Sequence, residues 1–243
     1  MKILGKTDIG RVRQMNQDCY CAGEHDSGMN WVVVCDGMGG PAGGNIASST
    51  AAKILSDNIT LKYKKNMSRR SLKNLLLTAV NAANVNVYEM SVSNAELEGM
   101  GTTAVAAIIE KGVAHIINVG DSRAYILNDS GIVQVTKDHS FVQQMIDYGK
   151  LTPDEAKTHP HKNIITRAVG IKEDVDADYF EVEMSKNDIL LLCTDGLTNN
   201  LSDSDIYSTV TENKSNDFID VLVDMANENG GSDNITVVAV LGQ

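Results

Sequence analysis

The 243-residue chain lacks the features that would commit it to a membrane, an oxidising compartment or a polyanion. No apolar run nears the roughly 18–20 residues of a membrane span. The start, Met1-Lys2-Ile3-Leu4-Gly5-Lys6, passes at once into polar residues without the apolar stretch of a secretory leader. A cytoplasmic protein is expected. Cysteine is scarce: none of the four forms a C-x-x-C pair, and Cys35 and Cys193 sit inside apolar runs, so they read as reduced, buried thiols and not as a zinc site. Lys and Arg number 21 against 32 Asp and Glu, a net charge of -11, which argues against nucleic acid or anionic lipid as a partner. With only three prolines and no Gly/Ser-rich stretch, nothing marks a linker. A hydrophobic share of 42% supplies an ordinary globular core, and one domain over residues 1–243 is expected.

Val- and Ile-rich runs predict strands over 19–22, 31–35, 102–109, 113–118, 123–127, 132–135, 188–193 and 235–241. Turn signals as short as Glu110-Lys111-Gly112 and Asn128-Asp129-Ser130-Gly131 favour antiparallel hairpins. Helices are expected over 45–59, over 68–90 with Ser68 as N-cap, and over 217–229 with Gly230 as the stop. His115 falls in an apolar strand and reads as a core or edge residue. The mixture implies an α+β layered domain. Residues 141–170, with Pro153 and His159-Pro160-His161, read as a smaller insertion over the rim.

Against this background two segments stand out: Val32-Val33-Val34-Cys35-Asp36-Gly37 and Leu190-Leu191-Leu192-Cys193-Thr194-Asp195-Gly196. Each is a wholly apolar strand that delivers a carboxylate, followed by a glycine that lets the chain turn and bares a carbonyl. With Asp18 and Asp233 they suggest an aspartate cage. Two unit charges about 4 Å apart at an effective dielectric near 20 repel by about 4 kcal/mol. Either their pKa values rise or cations arrive, and hard oxygen donors suit Mg²⁺ or Mn²⁺. Arg13, five residues before Asp18, has the planar fork that suits a phosphate.

The strings Arg13-Gln14-Met15-Asn16-Gln17-Asp18, Asp36-Gly37-Met38-Gly39-Gly40, Gly101-Thr102-Thr103 and Val119-Gly120-Asp121-Ser122-Arg123 occur in that order. They are followed by Asp138-His139-Ser140, Thr166-Arg167-Ala168-Val169-Gly170, Thr194-Asp195-Gly196 and Gly231-Ser232-Asp233-Asn234-Ile235-Thr236. In these the chain resembles the metal-dependent serine/threonine protein phosphatases of the type 2C (PPM) family, in their bacterial single-domain form. The resemblance runs from Gly10 to Val240.

The resemblance implies a four-layer α-β-β-α sandwich of two antiparallel sheets flanked by helix pairs. It implies two core Mn²⁺ or Mg²⁺ ions, with Asp36 bridging them, the Gly37 carbonyl on one, and Asp195 and Asp233 completing the shells. Asp18 would act through water, Arg13 would clamp the phosphate, and Asp121 with Asp195 would hold a weaker third ion. Residues 141–170 would be the flap that substrate proteins touch, with His161 and Arg167 as contacts. Thr102 and Thr103 would support the Asp36 strand. Animal members carry histidine where this chain has Met38, and a thioether cannot donate the proton assigned to that histidine. The implied activity is hydrolysis of phosphoserine and phosphothreonine on proteins by a metal-activated water, opposing serine/threonine kinases, which would themselves be among the partners of a monomeric enzyme. A non-catalytic binding or regulatory module on the same fold is the alternative, and it predicts lost metal ligands.

Overall fold

The computed structural model describes residues 1–213 and 217–242. Eleven strands occur among them: β1 (Lys2–Asp8), β2 (Asp18–Glu24), β3 (Asn30–Met38), β4 (Gly101–Thr102), β5 (Ala104–Glu110), β6 (Val113–Val119), β7 (Arg123–Asn128), β8 (Gly131–Gln134), β9 (Asp178–Glu183), β10 (Ile189–Cys193) and β11 (Ile235–Leu241). The helices are α1 (Gly40–Lys62), α2 (Arg69–Ser93), α3 (Phe141–Asp147), α4 (Pro153–Lys157), α5 (Asp195–Thr198), α6 (Asp203–Glu212) and α7 (Phe218–Glu228). One sheet runs β1-β11-β10-β7-β8; the other runs β2-β3-β5-β6-β9, with β4 paired to β3. Every pairing is antiparallel.

Side chains alternate across a strand, and here both faces of the central strands are apolar. Trp31, Val33 and Cys35 of β3 join α1 and α2 in one core. Val32 and Val34 face the other way and meet Val238 and Val240 of β11 in a second core between the sheets. The opposite face of β11, Ile235, Val237 and Ala239, packs on Leu222, Val223 and Ala226 of α7 in a third. Three apolar seams require four layers, so the α-β-β-α sandwich is the architecture. Each fully buried Val, Leu or Ile in these seams contributes about 1.5–3 kcal/mol.

Among the elements that period alone did not mark are β1, β9 and α6. β1 and β9 lie toward sheet edges and carry charged residues in KILGKTD and DYFEVE, which dilutes their apolar signal. α6 is a short helix closed by a Ser202–Asp205 capping box. The strand expected over 102–109 is broken at Thr103 into β4 and β5, for a reason that belongs to the site below. Ser68 does cap α2, its hydroxyl accepting from the Ser71 N–H at 3.1 Å. Gly230, at φ 129°, follows the last helix as expected.

His115 is a core residue, with its side chain 3% exposed, and its Nδ1 lies 2.7 Å from the Tyr179 hydroxyl. Burial lowers its pKa from 6.5, although Glu181 pulls the other way. A histidine held neutral stabilises the fold above pH about 6.5, and that contribution is lost as the pH falls and the unfolded chain alone takes up the proton. His115→Gln should therefore reduce the loss of stability between pH 7.5 and 5.5, as read by urea unfolding at both pH values. An unchanged slope would place the titration elsewhere; His139, shifted down by its own burial, keeps part of it in either case.

Candidate active site

The acidic residues reach one place from both sheets. Asp18 opens β2 and stands directly across from Asp36 on β3. Asp195 begins α5, two residues beyond the end of β10, and Asp233 lies two residues ahead of β11. Asp121 sits in the connection between β6 and β7. Arg13, Asp36, Gly37, Met38, Asp121, Asp195 and Asp233 line a cavity of about 670 Å³. A second cavity of about 660 Å³ adjoins it, sharing Asp121, Asn163 and Asp195 and running between α6 and the 141–163 segment.

Backbone bonds fix the Asp36 position. The Asp36 N–H donates to Thr103 Oγ1 at 2.9 Å, while its carbonyl accepts from the Thr103 N–H and from the Thr102 hydroxyl, each at 2.8 Å. The two threonines support Asp36, as expected, and the turn they make to do so divides β4 from β5. Gly37 is required by closeness: a Cβ there would strike the Gly44 carbonyl of α1.

Asp18 lies beneath the cavity, 8% exposed, and one of its oxygens accepts hydroxyl bonds from Thr194 at 2.8 Å and Thr236 at 2.7 Å. Asn199 donates to Asp195 at 2.9 Å. Arg13 donates to Asp233 at 2.7 Å with its side chain half-exposed at the rim. Asn234 pins the Arg13 loop, donating to the carbonyls of Ile9 and Met15 and accepting from the Gln17 N–H. Thr194, Asn234 and Thr236 lie in the motif strings quoted above but carry no role there, and Asn199 lies outside those strings. No periodicity marks the role of a residue that acts through tertiary contact.

The electrostatics are costly. Burial, then the other aspartates, pushes the Asp36 carboxyl well above its ordinary value. Burial likewise raises Asp18 to about 7, against the two threonine hydroxyls, and Asp121 to about 8, with Asp195 as the main like charge. Asp195 rises to about 6. Oδ1 of Asp18 and Oδ1 of Asp195 are buried with no hydrogen-bond partner. Unpartnered buried oxygens among hard donors fit a divalent cation. Among the described residues no three acidic, thiol or imidazole groups already close on a single point. The carboxylates instead take Arg13, Asn199 and the threonine hydroxyls as partners.

A model of the family described as protein phosphatase 2C matches residues 8–238. The chain belongs to the protein phosphatase 2C family. It is 37% identical over 239 residues to the serine/threonine phosphatase stp of Listeria welshimeri, covering 97% of this chain and 93% of that protein. The serine/threonine phosphatase of S. agalactiae superposes with a TM-score of 0.93 at 34% identity, covering 100% of this chain and 99% of that one. The catalytic domain of the phosphatase PstP, solved with two manganese ions, gives a TM-score of 0.85 at 30% identity and covers 100% of this chain and 98% of its own.

His139 is structural. Its Nδ1 accepts from the Gly120 N–H at 3.1 Å, and its Nε2 lies 3.2 Å from Asp178, so neither nitrogen is free to serve as an acid. Arg167 donates to that same Asp178 at 2.8 Å. His161 packs beside Phe141 and His159, with ring centroids 5.8 and 5.6 Å away. Neither Arg167 nor His161 lines the acidic cavity.

Carboxyls shifted upward are protonated in the fold where the unfolded chain is not, so stability falls as the pH rises through their folded values. With chelator present, the melting temperature should drop between pH 7 and 8.5, a window above the histidines, and Mn²⁺ should remove that drop. Asp36→Asn should raise the chelated protein's stability at pH 8 by about 1 kcal/mol or more, roughly 2–4 °C. A variant no more stable than its parent would show that the carboxylates do not strain the fold.

Proposed function

We propose that this chain is a Mn²⁺- or Mg²⁺-dependent protein serine/threonine phosphatase that hydrolyses phosphoserine and phosphothreonine. The observation that carries the reading is the convergence of Asp36, Asp121, Asp195 and Asp233 on one cavity with Arg13 at its rim. Asp36, the Gly37 carbonyl, Asp195 and Asp233 would hold two core ions, Asp18 would act through water, and Asp121 with Asp195 would hold a third. Bound there, such ions would supply Lewis acidity, lowering the pKa of a water and polarising a phosphoryl group. The chain's own residues do the positioning. Arg13 is paired with a carboxylate in Asp233, and its guanidinium fork would suit two phosphoryl oxygens in the same way. The bonds to Thr102 and Thr103 fix the backbone of Asp36.

The natural partners would be phosphorylated proteins, serine/threonine kinases among them. The reading includes a single cytoplasmic domain over 1–243 acting as a monomer, with residues 141–170 as a flap over the second cavity. No helix among the described residues is long and apolar enough to cross a membrane. The non-catalytic alternative is disfavoured because no ligand position has been lost.

Hydrolysis of a phosphothreonine peptide with added Mn²⁺, and its loss in EDTA, tests the activity; an inert protein at saturating metal would overturn it. Arg13→Ala should raise KM for that peptide about tenfold or more and lower kcat less, since one charge-assisted contact contributes about 1.5–3 kcal/mol. Steady-state kinetics at fixed Mn²⁺ would show it, and an unchanged KM would make Arg13 a surface residue. For Asp121→Ala, equilibrium dialysis with metal analysis should find one Mn²⁺ fewer per chain than in the parent, with the two core ions retained. Equal stoichiometry would remove Asp121 from the ligand set.

A further inference from the structure

A third, smaller cavity of about 280 Å³ opens on the far side of Met38. Half of its lining is apolar, Met38, Ile165, Ala168, Ile171 and Val175, and the other half is polar or charged, Thr166, Arg167, Lys172, Asp174 and Asp176. Met38 and Ile165 also line the acidic cavity, so the two share a wall. The volume lies below the 300–1,000 Å³ of ordinary small-molecule sites and suits a single side chain.

The far wall is built to hold its shape. Asn84, 1% exposed in the middle of α2, accepts from the Gly170 N–H at 2.7 Å. Its amide donates to the carbonyls of Lys172 at 3.0 Å and Glu173 at 2.8 Å. Val169 exchanges two backbone bonds with Thr102, the residue that holds Asp36. Gly170, at φ +89°, lies so close to Val87 that no side chain fits there. A buried asparagine with its whole amide engaged on one loop keeps that loop in register with the catalytic strand.

Spacing along β3 fixes the reach. Met38 is two residues beyond Asp36, about 7 Å along a strand, which an extended peptide covers in two to three residues. Asp174 and Asp176 stand exposed in this lining together with Lys172 and Arg167, the last paired with Asp178, so the charged part carries both signs and the apolar residues give the selectivity.

We propose that this cavity is a substrate subsite that takes an apolar side chain two or three residues from the phosphorylated residue. The proposal rests on the phosphatase reading. It makes Ala168 and Ile171 specificity-determining residues, and it explains why a concavity with an apolar side on a rigid loop sits open beside a polar centre.

The test uses synthetic phosphothreonine peptides in which Leu or Ser occupies each position two and three residues before and after the phosphothreonine. p-Nitrophenyl phosphate, too small to reach past Met38, serves as the internal standard. Leu on one side should lower KM about tenfold relative to Ser, the value of burying one aliphatic side chain. Ala168→Leu, which fills the cavity, and Ile171→Ser, which strips its wall, should each abolish that preference while kcat/KM for p-nitrophenyl phosphate stays unchanged. Equal KM for Leu and Ser peptides at all four positions in the parent protein overturns the subsite, as does a preference that survives both variants. A variant that also loses p-nitrophenyl phosphate turnover has lost its fold, and the remaining variant and the parent scan then decide. A parent protein inactive on every phosphoester overturns the phosphatase reading itself, and the subsite with it.

Discussion

Mutual repulsion among buried carboxylates is the constraint that the rest of the molecule answers to. Asp18, Asp36, Asp121 and Asp195 all have their carboxyls pushed upward, with burial as the first cause of the rise and neighbouring aspartates, Asp233 included, as the next. Local partners offset part of this. Thr194 and Thr236 stabilise Asp18, and Asn199 stabilises Asp195. Two carboxylate oxygens remain buried without partners, and a divalent cation is the species that would satisfy them.

The apolar architecture is what makes so unfavourable a cluster tolerable. Three seams of Val, Ile, Leu and Ala hold the four layers, and the carboxylates sit where strands of both sheets end or turn. A site built on β3, β10 and β11 inherits their rigidity, which loops alone would not give. The Thr102-Thr103 break shows the order of priorities: a continuous strand is given up so that both backbone groups of Asp36 can be bonded. In Met38 and His139 the same surroundings offer no proton donor, the first for lack of a polar hydrogen, the second because both its nitrogens are engaged. Leaving-group protonation therefore falls to neither side chain.

Much of this was legible in the residues. The two apolar Asp-Gly strands, the hairpins around Glu110-Lys111-Gly112 and Asn128-Asp129-Ser130-Gly131, and the Ser68 cap are local properties, written in period and turn chemistry. β1 and β9 were not, because toward a sheet edge the pattern of buried positions thins and charged residues interrupt it. α6 is too short for its period to stand out between Leu201 and the residues before α7.

The sequence by itself determined which residues can ligate, since Asp, the Asp-Gly turn and the guanidinium of Arg13 are chemical identities that folding does not alter. Tertiary structure alone decided how they are used. It paired Arg13 with Asp233 across 220 positions and brought Thr194 and Thr236 to Asp18 across 176 and 218. It also turned Asn84 of α2 onto the loop behind Met38. The physical reason is that hydrogen bonds and charge repulsion depend on distances of a few ångströms, and the packing of four layers sets those distances, not the order of residues along the chain.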